Sequence, residues 1–306
     1  MIFVDPYGLI EIESPMKLYV LTFIFGVFIL LVFFSQVLKA EEIYYLIDKA
    51  TYKLQVKKSE EVIFETKIGY GLKSELSKRK KGDFLTPEGK YEITEIRPSK
   101  QYLYFIKLNY PNFNDLTYAY FRGDIDFQAL RKCKEERKCH NEKIKEVLGS
   151  EIGLHGGGAF KKEREGENYH WTQGCIALNN KDLENFLKWV KPNQKVFIID
   201  SSKPLFEILK KLAYPNIVKP SEFWEGSLYL KVNDITFWYF RIIENTKGQK
   251  YLEWKEWIRG ALTQEKIALV EGGFDKALEN RLKEVLIRGI NQILNPFEER
   301  DVSEWR

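Results

Sequence analysis

The stretch from Ile152 to Leu178 constrains this chain more than any other. An apolar run leads into His155-Gly156, and a polar, glycine-bearing loop follows. Thr172-Gln173-Gly174-Cys175 then enters a second apolar run, Ile176-Ala177-Leu178. Two of the three histidines and one of the three cysteines lie here. Cys175 follows a glycine, so the backbone can turn sharply and leave the sulfur at the end of an element. This reads as a thiol nucleophile beside a base. His155 is the candidate to take the thiol proton and return it to a leaving amine. The amides of Gly174 and Cys175 are candidates for an oxyanion hole. Set against this, a lone cysteine in an apolar run is ordinarily a small core residue, and a His-Gly pair is often only a turn.

The order His-Gly, gap, Thr-x-Gly-Cys resembles the signature of the YkuD-type L,D-transpeptidases. Upstream stretches agree with it. Residues 43–71 resemble the family's opening strands. Gly82-Asp83-Phe84-Leu85-Thr86-Pro87-Glu88-Gly89-Lys90-Tyr91 is similar to its G-x-x-x-T-P-x-G-x-Y stretch, and Leu108-Asn109-Tyr110-Pro111-Asn112 to its L-x-Y-P-N. The resemblance covers about residues 43–200. Two positions depart from it. Gln173 stands where family members often have His, and Ala177 where they often have Arg or Asn. The Trp171-Thr172-x-Gly-Cys-Ile-Ala-Leu form resembles the YafK-like branch, which includes enzymes that cut wall peptide bonds.

The resemblance implies a mainly β catalytic domain, a YkuD-like β-sandwich with short helices. It also implies Cys175 as nucleophile and His155 as base, with the Gly156 carbonyl orienting the imidazole. Gly174, Thr172, Gln173 and His170 are then the substrate or oxyanion residues. His170 is a rival base, or it orients Thr172 or faces solvent. No metal or organic cofactor is implied.

Residues 18–38 carry no charge and lie between Lys17 and Lys39. Twenty-one residues of helix span roughly 30 Å, a bilayer core, and the run shows no polar face. The choice is a membrane anchor or a cleaved signal segment. Leu38-Lys39-Ala40 lacks the small residue a cleavage site wants three before the cut, which favours an anchor. Residues 1–17 are then an N-terminal tail, and Met16-Lys17 also resembles a natural start. Everything after about residue 41 is expected outside the inner membrane, in the periplasm or cell-wall space.

The 306 residues accommodate one domain of about 150 residues and a second, smaller one. An apolar content of 44% argues for a folded chain, and a net charge of +4 does not suggest a nucleic-acid binder. Strands are expected over 43–48, 52–56, 62–68, 91–96 and 102–109, with no helix before about residue 124. Lys78-Arg79-Lys80-Lys81 reads as a solvated loop or as an attraction for anionic wall polymer.

From 124 to 148 a helix is expected, capped by Asp124. Cys133, Cys139 and His140 lie in it without an evident fourth ligand for zinc. An unbroken helix would separate the two cysteines by about 9 Å along its axis, beyond the roughly 7 Å limit for a bridge. Either the helix breaks and a disulfide forms, leaving Cys175 the free thiol, or the thiols stay apart. The charged segment 161–167 is expected over the cleft. Asn179 or Asn180 caps a helix to about Val190, and a strand over 195–200 closes the catalytic domain, 41–200.

Residues 203–306 read as a small α+β accessory domain. A helix begins after Ser202-Lys203-Pro204, with Leu205, Ile208, Leu209 and Leu212 on its buried face. A hairpin turns at Asn233-Asp234, and an amphipathic helix over 278–294 closes it. Its Trp and Tyr side chains suit sugar stacking or, more simply, a core. Some L,D-carboxypeptidases similar to this family carry an NTF2-like module in this place.

The function expected from the resemblance is a peptidoglycan-modifying cysteine L,D-transpeptidase acting on stem peptides through a Cys175 thioester. The first alternative is an L,D-carboxypeptidase or amidase of the same fold, which releases D-Ala or wall-linked protein by hydrolysis. The second is a catalytically weak wall-binding scaffold. The expected partners are stem peptides, the membrane through residues 18–38, and a wall-linked protein substrate.

Overall fold

The computed structural model describes residues 2–4, 10–12, 19, 42–136, 139, 142–216 and 223–295. Apart from Tyr19, the expected anchor at 18–38 lies outside the described residues, as does His140. Among the described residues no helix is long and apolar enough to cross a membrane. The chain divides into Met1–Glu42 and Ile43–Arg306. In the first unit β1 (Ile2–Val4) pairs antiparallel with β2 (Ile10–Ile12).

The second unit is built on an eight-stranded mixed sheet. Its strands are β3 (Ile43–Asp48), β4 (Lys53–Lys58), β5 (Glu61–Lys67), β6 (Gly89–Ser99), β7 (Leu103–Leu108), β8 (Gly153–His155), β11 (Ile176–Ala177) and β12 (Lys195–Ile199). Their order is β11-β8-β7-β6-β12-β3-β4-β5. The β3–β12 and β8–β11 pairs are parallel, and the rest are antiparallel. The sheet curls until its ends meet. Gly69, just after β5, exchanges two backbone hydrogen bonds of 2.8 Å with Ala177 of β11. Tyr45, Ile47, Leu54, Val56, Ile93, Ile106, Leu154, Ile176 and Ile198 fill the interior. Alternate residues of one strand point to opposite faces, so β3 and β12, buried on both sides, read as near-continuous apolar runs.

Their outer residues, Tyr44, Leu46, Phe197 and Ile199, join a second core. Against them pack α5 (Leu205–Leu212) and a six-stranded sheet. That sheet holds β13 (Tyr214–Pro215), β14 (Phe223–Lys231), β15 (Thr236–Asn245), β16 (Lys250–Ile258) and β17 (Ala261–Leu269) in sequence, with β18 (Ile293–Leu294) on β14. Leu282 and Leu286 of α6 (Lys276–Arg288) complete this core. The boundary expected at 200–203 falls in the turn between β12 and α5. Uncovering Leu46, Phe197 and Ile199 would cost about 5–9 kcal/mol, comparable with a domain's net stability of about 5–15 kcal/mol. The two halves share a core.

Several expected elements shift. Helix α1 (Phe113–Phe121) forms where none was expected. Asn112 accepts from the amides of Asn114 and Asp115, and Asp115 accepts from that of Asn112, a capping box that satisfies the helix's orphan donors. The helix expected over 124–148 breaks into α2 (Phe127–Glu136) and α3 (Glu142–Leu148), and Cys133 and Cys139 form a disulfide with Cα atoms 4.5 Å apart. Asp126, not Asp124, accepts from the first-turn amide of Ala129. Helix α4 (Asn180–Phe186) stops short of Val190, tightening into i to i−3 bonds at Trp189 and Val190. The closing helix ends at Gly289, followed by a single 3₁₀ turn.

Glu88 of the Thr86-Pro87-Glu88-Gly89 stretch accepts from Lys49 at 2.6 Å and Lys203 at 2.7 Å, with Lys49 and Glu88 side chains 2% and 3% exposed. Removing one partner of a buried ion pair strands the other charge. Glu88→Gln is therefore expected to lower stability by about 3–5 kcal/mol. Glu65→Gln, in the exposed Lys53–Glu65 pair, is expected to cost about 1 kcal/mol or less. Urea denaturation of both variants measures the difference, and equal losses would contradict it.

Candidate active site

The parallel pairing of β11 with β8 sets Ala177 beside His155 and Ile176 beside Leu154. Cys175 and His155 therefore leave adjacent strands on one side of the sheet. Both line a cleft of about 1230 Å³, together with Tyr102, Trp171, Thr172 and Gln173. Lys78, Lys81, Arg97, Glu151 and the start of α3 are also on its wall.

His155 is only 4% exposed. Its Nδ1 lies 2.6 Å from the Gly156 carbonyl, the partner expected from sequence. With Nδ1–H donating there, Nε2 carries the lone pair. Burial holds the imidazole below its usual pKa, helped by Lys161, against the pull of the Gly156 bond. The ring is thus neutral near pH 7. Tyr102 packs against it at 4.3 Å, and the Gly156 amide donates to the Tyr102 carbonyl at 3.0 Å. A Cβ on Gly156 would come within 2.6 Å of that carbonyl oxygen.

Cys175 is the free cysteine among the described residues. Its thiol donates to the Glu151 carbonyl at 3.5 Å. The sulfur is largely desolvated, which pushes the pKa up to about 11 despite the Gly153 amide and Lys78.

Thr172 is the clasp of the turn. Its hydroxyl donates to the Cys175 carbonyl at 2.6 Å and accepts from the Gly174 amide at 3.2 Å. The Gly174 N–H, an oxyanion candidate with that of Cys175, is thus engaged by the Thr172 hydroxyl. Gly174 adopts φ 115°, and a Cβ there would meet the Leu85 carbonyl oxygen at 2.6 Å, so only glycine makes this turn.

His170 does not line the cleft. Its Nδ1 lies 3.1 Å from the Gly71 carbonyl and its Nε2 3.0 Å from the Tyr52 hydroxyl. With both nitrogens occupied among Tyr52, Tyr70 and Tyr169, it ties the loop before Cys175 to the sheet. Gln173 is exposed on the cleft wall. Ala177 is fully buried and bonded to Gly69, so its small size fits the closure of the sheet.

The segment 161–167 folds on itself as β9 (Lys161–Glu163) and β10 (Gly166–Asn168). None of it lines the cleft. Lys161 donates to the Gly157 carbonyl at 2.6 Å and lies 4.0 Å over Trp171. The basic cluster also divides. Lys78 is buried, 2.8 Å from Asp83. Burial alone would raise the Asp83 pKa, but Lys78 and the amides of Lys80, Arg79 and Leu85 hold it low.

Two residues expected only as helix caps hold the site instead. Asn179 and Asn180 accept from the amides of Ala159 at 3.0 Å and Gly157 at 2.8 Å. They pin the loop that follows His155, and neither side chain caps α4. Their signal was visible but ambiguous, because an asparagine before a helix serves either purpose.

A thiol with a raised pKa stays protonated at neutral pH. Iodoacetamide should therefore alkylate Cys175 about tenfold faster per pH unit from 7 to 9, with no plateau. Mass measurement of the modified protein follows the rate. A plateau below pH 7 would instead indicate a preformed thiolate–imidazolium pair.

Residues 42–198 match the family model described as L,D-transpeptidase catalytic domain, YkuD. No curated protein matches the chain. Among solved structures, it is similar to a mutant L,D-transpeptidase from Enterococcus faecium, with 13% identity and a TM-score of 0.31 over 52% of this chain and 50% of that one. It is similar to an L,D-transpeptidase from Mycobacterium smegmatis, with 11% identity and a TM-score of 0.30 over 51% and 58%. It is also similar to L,D-transpeptidase 1 of Mycobacterium tuberculosis, with 8% identity and a TM-score of 0.29 over 52% and 62%. The chain thus spans about half to three-fifths of the length of these structures. Through the match over residues 42–198, more than half its length, this chain belongs to the YkuD family of L,D-transpeptidase catalytic domains.

Proposed function

We propose that this protein is a cysteine L,D-transpeptidase that acts on peptidoglycan stem peptides in the cell-wall space. The observation that carries the reading is the pairing of β8 with β11. It brings a neutral, oriented imidazole and a free thiol to the wall of one cleft. The family match supports the substrate class.

The reaction follows from these groups. Nε2 of His155 takes the thiol proton as Sγ attacks the carbonyl of the L-centre of the stem peptide's diamino acid. The thiol's high pKa makes the proton transfer part of the attack rather than a prior ionisation. The Cys175 amide stabilises the oxyanion. D-Ala leaves with the proton returned by the imidazolium, and a thioester remains on Cys175. An amine of a second stem peptide then attacks the thioester. His155 takes the proton of that amine and returns it to the departing sulfur. Thr172 and the Asn179–Asn180 pair position these groups through the backbone.

The full chain, incubated with purified disaccharide-tetrapeptides, should yield a cross-linked dimer that lacks one D-Ala. Mass spectrometry reads the product. Cys175→Ala should abolish it, and His155→Gln should lower the rate by about 10²–10⁴. Because burial lowers the His155 pKa, the acid limb of kcat/KM should fall below pH 6.5. The base remains neutral, and active, until the pH drops through that lowered value. A tripeptide without dimer would make water the acceptor and the enzyme an L,D-carboxypeptidase. No turnover at all would refute the reading.

A further inference from the structure

Glu151 lies on the wall of the catalytic cleft, between α3 and β8, with φ at 58°. A residue with a Cβ is unfavourable in this left-handed region, so its surroundings must hold it there. Its own side chain makes the ties. One carboxylate oxygen accepts from Nη2 of Arg97 on β6 at 3.0 Å, and the other from Lys107 on β7. The Arg97 guanidinium lies 5.0 Å over the Phe105 ring. The next residue is fixed as well, because the Ile152 carbonyl accepts from the Leu108 amide at 3.0 Å.

The backbone held in this way faces the sulfur. The Glu151 carbonyl accepts from the Cys175 thiol at 3.5 Å. Two residues on, the Gly153 amide bonds the same sulfur and favours its thiolate. Residues 151–153 therefore offer an acceptor to the thiol and a donor to the thiolate that forms from it. A change of φ at Glu151 swings its own carbonyl, since that group lies beyond the rotated bond. The conformation that the carboxylate secures is thus the one that meets the thiol.

We propose that Glu151 is a positioning residue for Cys175: the clamp of Lys107 and Arg97 on its carboxylate holds the left-handed turn whose carbonyl orients the thiol. The inference rests on the reading of Cys175 as the nucleophile. The thiol rests on this carbonyl until its S–H bond breaks and the proton passes to Nε2 of His155. The Glu151 carboxylate has a second, smaller effect. After burial itself, its charge disfavours the nearby thiolate, so it keeps the resting sulfur protonated.

The test compares the full chain with two variants. Glu151→Gln keeps the size of the side chain but not its charge. Glu151→Asn also lacks the charge but tolerates a left-handed backbone. With purified disaccharide-tetrapeptides, Glu151→Gln should lower kcat roughly tenfold with little change in KM, and Glu151→Asn should recover part of that loss. Iodoacetamide reads the thiol without any substrate. A thiol that loses its acceptor and the neighbouring carboxylate ionises more easily, so Glu151→Gln should be alkylated faster than wild type at pH 8, with Glu151→Asn between them. Lys107→Arg keeps the clamp and should match wild type in both assays, whereas Lys107→Met should follow Glu151→Gln. Half-exposed ion pairs add little stability, so the thermal midpoint should move by only a few degrees. Equal behaviour of Glu151→Gln and Glu151→Asn would make the effect one of charge alone. A midpoint that falls in step with kcat would make it one of folding. Either result, or unchanged alkylation in Glu151→Gln, would overturn the proposal. If wild type forms no product, the function reading fails, and the alkylation order still decides the role of Glu151.

Discussion

Two backbone hydrogen bonds between Gly69 and Ala177 hold this structure's working end together. They join the two ends of an eight-stranded sheet, so that its interior becomes a closed apolar core. An open sheet edge leaves unpaired amides and carbonyls, and this closure satisfies them where β11 is shortest. It also fixes Cys175, two residues before Ala177. The approach needs a glycine at 69, because a Cβ there would lie 2.1 Å from the Ala159 carbonyl oxygen. It needs a small residue at 177, which is fully buried.

From that closure the chemistry follows by short steps. The parallel register sets His155 beside the strand that Cys175 enters. Thr172 clamps the turn before it, and Gly156 turns the imidazole. Burial acts on the Cys175 thiol and the His155 imidazole in one direction. It disfavours the imidazolium and it disfavours the thiolate. Both groups therefore rest neutral, and in the proposed reaction charge develops only as the sulfur attacks. The outer face of β3 and β12 contributes differently. It is covered by the C-terminal sheet and α5, so the accessory half is part of what keeps the central strands in place.

Much of this was legible in the residues. Strands β3 to β7 fell close to where alternating β-branched and aromatic residues put them, because a strand's period is local. The hairpin at Asn233-Asp234 and the start of α5 were legible for the same reason. Helix α1 was not, because Phe113, Tyr118, Tyr120 and Phe121 give it a strand-like composition. Its true signal was the Asn112…Asp115 capping box. Strands β16 and β17 were also missed. β17 is an edge strand with mostly exposed residues, so no buried face imposed a pattern on it.

The sequence alone singled out Cys175, His155 and the Gly156 carbonyl as candidates, because the motif that carries them, and its resemblance to a family signature, lies within a short stretch. It also determined that Cys133 and Cys139 could bridge only if their helix broke. The tertiary structure decided which candidates reach the cleft. It turned His170 toward Tyr52 and Gly71, engaged the Gly174 amide with Thr172, and gave Asn179 and Asn180 to the loop after His155. Each of these depends on a partner outside the residue's own strand or helix. Which of several available partners a polar group takes is settled by packing between distant segments, and no local pattern records it.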